Sequence, residues 1–343
     1  MIAWTRDHAD ATFADLARAL DLDGERLAAE LRTLTPAWQD FAISRGPSRP
    51  PRRIEAPAEP LKRVQRRILD RLLARVPVSP SCHAFVPHRS IVTHARLHRN
   101  QRCLVNYDIA DAFPSVSRRR TRVTLERRLG PIIKHGLHRL PRDRRDGLIE
   151  LLTDLVTRAD HLPQGAPTSG AILNLCLAPM DREVRRGLVE LKAEGHHGLV
   201  YTRYADDLTI SAPEPLPPEA EALLRRAIHQ AGFRWNAAKI RRADRARGQA
   251  LEVCGVQVAG ELIRLPSRTL RRYRAILHRA FFMDPLPDSE RSRIHGIAGL
   301  VMMIHGRVPQ LLEKPWHRLQ RRHDLPVAPG DAMVSFSAYG LEV

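Results

Sequence analysis

The sequence predicts an α+β layer fold: an antiparallel sheet backed by helices, followed by a mainly helical C-terminal part. Three observations carry that expectation. Short β-rich runs alternate with amphipathic helical segments from residue 103 onward. Two of those runs, LVYTRY and LTISA, are separated only by a tight acidic turn, which is a hairpin signature. The basic stretch from Ser267 (SRTLRRYRAILHRAFF) has helical spacing and reads as a separate small domain. Strands and helices mixed with local hairpins favour an α+β layer arrangement.

Taken in order, residues 8–35 carry apolar positions at helical spacing interrupted at DLDG, so two short helices are expected, as a packing or docking module or a helix-turn-helix. SRGPSRPPRRIEAPAEP (44–60) predicts a loop, because Pro and Gly punctuate it. LKRVQRRILDRLLARV (61–76) predicts an amphipathic helix with a basic face, either solvated or set against nucleic acid. CLVNYDI (103–109) reads as a strand, RRDGLIELLTDLVTRA (144–159) as a helix and SGAILNLCLAPMDREVRRGLVELKA (169–193) as a longer helix. After the acidic hairpin come a helix, EAEALLRRAIHQAG (219–232), and a second hairpin, LEVCGVQVAGELIRLP (251–266). No internal repeat of fixed period is present.

Composition narrows the partners. Of 343 residues 43% are hydrophobic, enough for a proper core, and 56 Lys and Arg oppose 38 Asp and Glu for a formal charge of +18. Such a field attracts phosphate backbones and releases their counterions, so a polyanionic partner is expected. Cys82, Cys103, Cys176 and Cys254 form no CxxC pair, which argues against a zinc ribbon or disulfide framework and for a reducing, cytoplasmic compartment. The N-terminus opens into polar sequence, and no run of about 18 apolar residues occurs. A soluble chain with no membrane partner is therefore expected.

Asp108 ends an apolar strand, and Asp206 and Asp207 sit at a hairpin tip. Adjacent carboxylates at a turn repel each other unless a cation holds them. Asp is also an ordinary turn residue, so the doublet alone is weak. Hard divalent ions such as magnesium take oxygen ligands, and a third Asp from a neighbouring strand would let two ions sit about 4 Å apart across an in-line displacement. That is nucleotidyl transfer chemistry. His94 and His98, four residues apart, lack further ligands in a metal-like pattern, and His83 and His88 show no such spacing with Cys, so a structural or RNA-contacting role is expected.

NYDIADAFPSV (106–116), LPQGAPTSGAILNL (162–175) and YTRYADDLTIS (201–211) occur in the order and spacing of a reverse transcriptase, a family that the chain clearly resembles. The resemblance is strongest to the bacterial retron type and runs nearly end to end. RRIEAPAEPLKRVQRRIL (52–69) and CHAFVPHRSIVTHARLH (82–98) resemble its fingers motifs, the second containing the NAxxH element, while WNAAKIRR (235–242) and LEVCGVQVAG (251–260) resemble the palm end and the VTG element. His94 stands where that pattern has Asn, Cys254 where it has Thr, and Gly170 where Pro is usual.

The resemblance implies a right-hand polymerase fold: an N-terminal helical segment (1–45), fingers (46–102), a palm (103–260) with part of the fingers at about 115–170, and a thumb with C-terminal tail (261–343). It implies that Asp108, Asp206 and Asp207 bind two Mg2+ ions, with the Ile109 carbonyl as an extra ligand. Phe113 falls where the family keeps its sugar gate, and is otherwise a core aromatic. Gln164 would lie against the incoming nucleotide, with Gly165 allowing close backbone approach. Arg52 and Arg89 resemble triphosphate clamps, and either could instead be a surface Arg. Lys239 would protonate or neutralise the leaving pyrophosphate. Tyr273, Phe281 and Trp316 would stack on bases in the thumb or pack its core.

The implied partners are deoxynucleoside triphosphates, a noncoding RNA that supplies template and primer, the RNA–DNA hybrid product and a retron effector protein, in the making of branched msDNA for phage defence. Two other readings are a different bacterial reverse transcriptase, standalone or group II-like, and an RNA-binding scaffold without activity. All three carboxylates are present, which speaks against the scaffold.

Overall fold

The computed structural model describes residues 10–20, 38–44, 50–136 and 140–323. The second expected N-terminal helix and the C-terminal tail lie outside the described residues. Among those described, the first elements are α1 (Asp10–Ala19), β1 (Trp38–Ile43), β2 (Arg52–Pro57), α2 (Glu59–Arg71) and α3 (Ile91–Arg96). Then come β3 (Cys103–Asp108), α4 (Arg118–Gly136), α5 (Arg142–Val156), α6 (Ser169–Ala193), β4 (Val200–Tyr204), β5 (Asp207–Ala212) and α7 (Pro218–Gln230). The chain closes through β6 (Arg241–Asp244), β7 (Leu251–Val253), β8 (Val256–Ala259), β9 (Leu262–Arg264), α8 (Ser267–Phe281), α9 (Asp288–His305) and α10 (Gln310–His323). Mixed helices and antiparallel strands bear out the α+β expectation.

The chain divides into two compact units, residues 1–89, 105–210 and 216–241 in the first and 90–104, 211–215 and 242–343 in the second. In the first, α1 buries Phe13 and Leu16, Leu20 is buried just past its end, and Asp15 is held by Arg144 at 2.6 Å. β1 and β2 pair antiparallel from Trp38 opposite Pro57 to Ile43 opposite Arg52. The loop expected over 44–60 is therefore corrected at 52–57. Alternation there is masked by Pro and Arg, and the strand exists because it has a partner: Arg158 bonds Glu55 at 3.0 Å and Asp40 at 2.9 Å, one carboxylate on each strand. In α2, Leu61, Val64 and Ile68 are buried at 3- and 4-residue spacing, which puts them on one face as the sequence pattern requires. α6 buries Ile172, Leu173, Leu175, Cys176, Leu177, Met180 and Val184 in the core that β3 and β5 also enter. In their sheet the order β4-β5-β3 makes β3 and β5 neighbours.

In the second unit α3 begins with a capping box, the Ser90 and Thr93 side chains each bonding the other's backbone N–H. β7, β8 and β9 form an antiparallel three-stranded sheet, where one hairpin is expected from the sequence. The first turn, Cys254–Gly255, has φ of 45° and 78°, the both-positive backbone that suits a two-residue hairpin; Gly260 at φ 63° allows the second turn. Tyr273 and Trp316 are buried with Ile276, Leu277 and Leu319, so both serve the core rather than an exposed stacking face. Phe281 packs on the same cluster, with the Arg318 guanidinium 4.5 Å from its ring centre. No helix among the described residues is long and apolar enough to cross a membrane.

Candidate active site

Because β3 and β5 are neighbours, the end of β3 meets the β4–β5 turn. Asp108 closes β3, Ala205 and Asp206 make the turn, and Asp207 opens β5. The Ile109 N–H donates to the Asp206 carbonyl at 3.0 Å, and buried Ile109 also bridges to Trp235. On the other side the Asn236 N–H donates to the Asp108 carbonyl at 2.8 Å and the Ala110 N–H to the Arg234 carbonyl at 2.8 Å. Asn236 then caps a single tight turn, Ala237–Lys239. That turn delivers Lys239, whose Nζ lies 2.7 Å from Asp108 Oδ2.

Burial raises the Asp206 carboxyl above its ordinary value, the negative charge of Asp108 raises it further, and Lys239 and Arg52 pull it back down. Asp108 and Asp206 therefore form one electrostatic unit, with Asp207 exposed beside it. Among the described residues no group of three or more His, Cys, Asp or Glu is already drawn together as a metal cage. What the donor set offers is hard oxygen atoms whose mutual repulsion a divalent cation relieves, and that chemistry fits magnesium.

The nucleotide-binding candidates divide. Arg52, on β2, acts on Asp206 through its charge. Gln164 is pinned to the same strand, its carbonyl accepting from the Glu55 N–H at 2.7 Å. Gly165 has φ 129°, and a Cβ there would stand 2.7 Å from Ile54 Cγ2, so the close approach it permits is to β2. Phe113 is half-buried against the core with its ring edge-on to Phe85, centroids 6.5 Å apart. Arg89 spends Nη1 on the carbonyls of Ser79 at 3.0 Å, Pro80 at 3.3 Å and Cys82. It closes its own loop, and these bonds do not bring it to the carboxylates.

The profile of the family described as "Reverse transcriptase (RNA-dependent DNA polymerase)" matches residues 48–255, more than half the chain and all the candidate catalytic and nucleotide-binding residues. The chain belongs to the reverse transcriptase family. Its relatives include the retron Mx65 reverse transcriptase of Myxococcus xanthus, 35% identical over 74% of this chain and 58% of that protein. The retron Mx162 enzyme of the same organism is 32% identical over 74% of this chain and 54% of its own length, so the chain spans little more than half of either. The retron Ec86 reverse transcriptase of Escherichia coli is 26% identical, with 90% and 89% of the two chains covered.

In this member of the family, two of the motif departures meet each other. His94 Nδ1 lies 3.4 Å from Cys254 Sγ, so His for Asn and Cys for Thr occur in one contacting pair. His98 Nδ1 lies 2.7 Å from Ser211 Oγ, and the two imidazoles stack edge-on at 5.7 Å. Both histidines are buried, which favours the structural side of the structural or RNA-contacting role expected of them.

Beneath the Asp206–Asp207 turn lies a polar network that local sequence reading does not disclose. Arg203, fully buried in β4, binds both carboxylate oxygens of buried Asp181 at 3.0 and 2.9 Å. It also donates to Asn174 Oδ1 at 3.0 Å and to the Ala205 carbonyl at 2.9 Å. Tyr201 adds a bond to Asp181 at 2.7 Å. Burial is the strongest single influence and disfavours the Arg203 charge, but the Asp181 carboxylate, with Cys82 and Tyr201 beside it, together outweighs burial, and the guanidinium stays ionised. Ala205 has φ 54°, a left-handed backbone that costs a non-glycine residue about 1 kcal/mol. The bond to its carbonyl holds that turn. The available clue was a charged residue within a β-rich run, which demands a partner once buried without naming it.

Proposed function

We propose that this reverse transcriptase is an RNA-directed DNA polymerase of retron type, which copies a partner noncoding RNA into single-stranded DNA. The observation that carries the reading is the meeting of Asp108 with the Asp206–Asp207 turn under the charges of Lys239 and Arg52. Asp108, Asp206 and Asp207, with the Ile109 carbonyl, would hold two Mg2+ ions. When bound, these supply stabilisation of the charge on the attacking and leaving oxygens of an in-line displacement. Arg52 pairs with the triphosphate, Gln164 lies against the incoming nucleotide, and the Phe113 ring excludes a ribose 2′-hydroxyl. Making msDNA for phage defence beside an effector protein extends this reading and rests on the family resemblance.

Lys239 is well placed to change partners. Its side chain is 44% exposed and its ammonium rests on Asp108, so the same ammonium has the freedom to turn toward a leaving pyrophosphate and would neutralise or protonate it there. Lys239→Met is expected to slow single-nucleotide incorporation about 100-fold, the usual scale of a lost general acid. Single-turnover rates at saturating nucleotide check this; an unchanged rate removes Lys239 from the chemistry.

The retron label is tested by expressing the chain with its flanking intergenic sequence, treating extracted nucleic acid with RNase, and searching for a small single-stranded DNA. A discrete species, lost in an Asp206→Asn control, is expected. Its absence from cells whose enzyme still extends a generic template would reject the retron label and leave the polymerase reading standing.

A further inference from the structure

We propose that Phe85, seated on Gly170 of α6, is a positioning residue for Phe113 and through it sets how strongly the enzyme rejects ribonucleotides. The proposal rests on the reading of Phe113 as the ring that excludes the ribose 2′-hydroxyl.

The Phe113 ring is only half-buried, so a neighbour is needed to keep it in one place. Phe85 is that neighbour, meeting it edge-on with an interplanar angle of 76°. Phe85 is itself tightly held. A Cβ on Gly170 would fall 2.4 Å from Phe85 Cγ and 2.6 Å from both Cδ atoms, so the ring lies directly on the glycine backbone. Gly170 stands where the family pattern usually has Pro, and no side chain larger than hydrogen leaves room for this seat. One turn further along α6, on the same face, Asn174 Nδ2 donates to the Ala84 carbonyl at 2.8 Å and anchors the residue before Phe85. Phe85 has φ 55°, a left-handed backbone that a bulky residue keeps only where its surroundings over-determine it. A glycine seat, an anchored preceding carbonyl and a strained backbone thus converge on one ring, whose edge meets Phe113.

A steric gate works by holding its edge where a hydroxyl would otherwise go, and small displacements of a positioning group change rates steeply. Loss of the Phe85 edge lets Phe113 yield to the extra oxygen.

The test compares kcat/KM for a deoxynucleotide and the matching ribonucleotide on an RNA template with a DNA primer, with thermal melting as the check on folding. Phe113→Val is expected to lower the discrimination ratio about 100-fold by opening the gate itself. Phe85→Leu and Gly170→Ala are each expected to lower it about tenfold, through a gain in ribonucleotide kcat/KM. In a Phe113→Val background, Phe85→Leu should change the ratio less than about twofold, since residues acting through one another are not additive. A purely structural role for Phe85 would depress both nucleotides together and leave the ratio intact. Wild-type ratios in folded Phe85→Leu or Gly170→Ala, or full additivity with Phe113→Val, would overturn the proposal. An unchanged ratio in Phe113→Val would instead overturn the gate reading on which it stands. Should Phe85→Leu fail to fold, Gly170→Ala, which keeps the ring and removes only its seat, carries the same comparison.

Discussion

Asp206→Asn is expected to abolish nucleotide incorporation, with a loss of about 1,000-fold or more, on the order of 4 kcal/mol of barrier. The substitution keeps the shape of the side chain and, on the proposed metal site, removes one of the oxygens that would carry negative charge to the cation, so the loss would fall on chemistry. It also removes the repulsion between Asp206 and Asp108 that, with burial, raises the Asp206 carboxyl. Without divalent cation, Asp206→Asn should therefore melt no lower than the parent protein, and the RNA affinity proposed for the basic surface should be nearly unchanged. Incorporation assays, thermal melting in a chelator and salt-dependent RNA binding measure the three effects. Retained incorporation would show that the chemistry lies elsewhere.

Asp181→Asn is expected to destabilise the fold by about 3–5 kcal/mol, the usual cost of leaving one partner of a buried ion pair without the other. Arg203 and Asp181 are both fully buried, so the remaining guanidinium has no access to water. The double substitution Asp181→Leu with Arg203→Met should recover much of that stability, because an apolar pair of similar size avoids the desolvation penalty altogether. Activity should not return with it. Arg203 holds the Ala205 carbonyl at 2.9 Å, and without that bond the left-handed turn that aims Asp206 and Asp207 is free to relax. Chemical denaturation and incorporation rates together separate the two roles; recovered activity in the double variant would reduce Arg203 to a packing residue.

Much of the site was legible because it is local. The spacing of apolar residues placed the helix over 169–193 with the boundaries that α6 has, and an acidic doublet between two β-rich runs marked the β4–β5 turn. Composition and motif order pointed to an enzyme acting with a polyanionic partner. Less legible were elements whose cause is distant. β2 hides in a Pro- and Arg-rich stretch and forms because β1 pairs with it. β9 turns a hairpin into three strands, and α4, rich in Arg, was not anticipated as a helix at all.

The sequence by itself determined the residue types proposed for the chemistry, three carboxylates, a lysine and a glycine beside Gln164, and the hairpin turn that carries the acidic doublet. Only the tertiary structure decided which of the many arginines serves which carboxylate. It turned Arg89 onto its own loop, set the charge of Arg52 to act on Asp206, buried Arg203 against a residue 22 positions away, and placed Phe85 between Gly170 and Phe113. The physical reason is range. Backbone preference and hydrophobic period act over a few residues, whereas the choice of partner for a buried charge or a ring depends on which distant segments the core brings into contact.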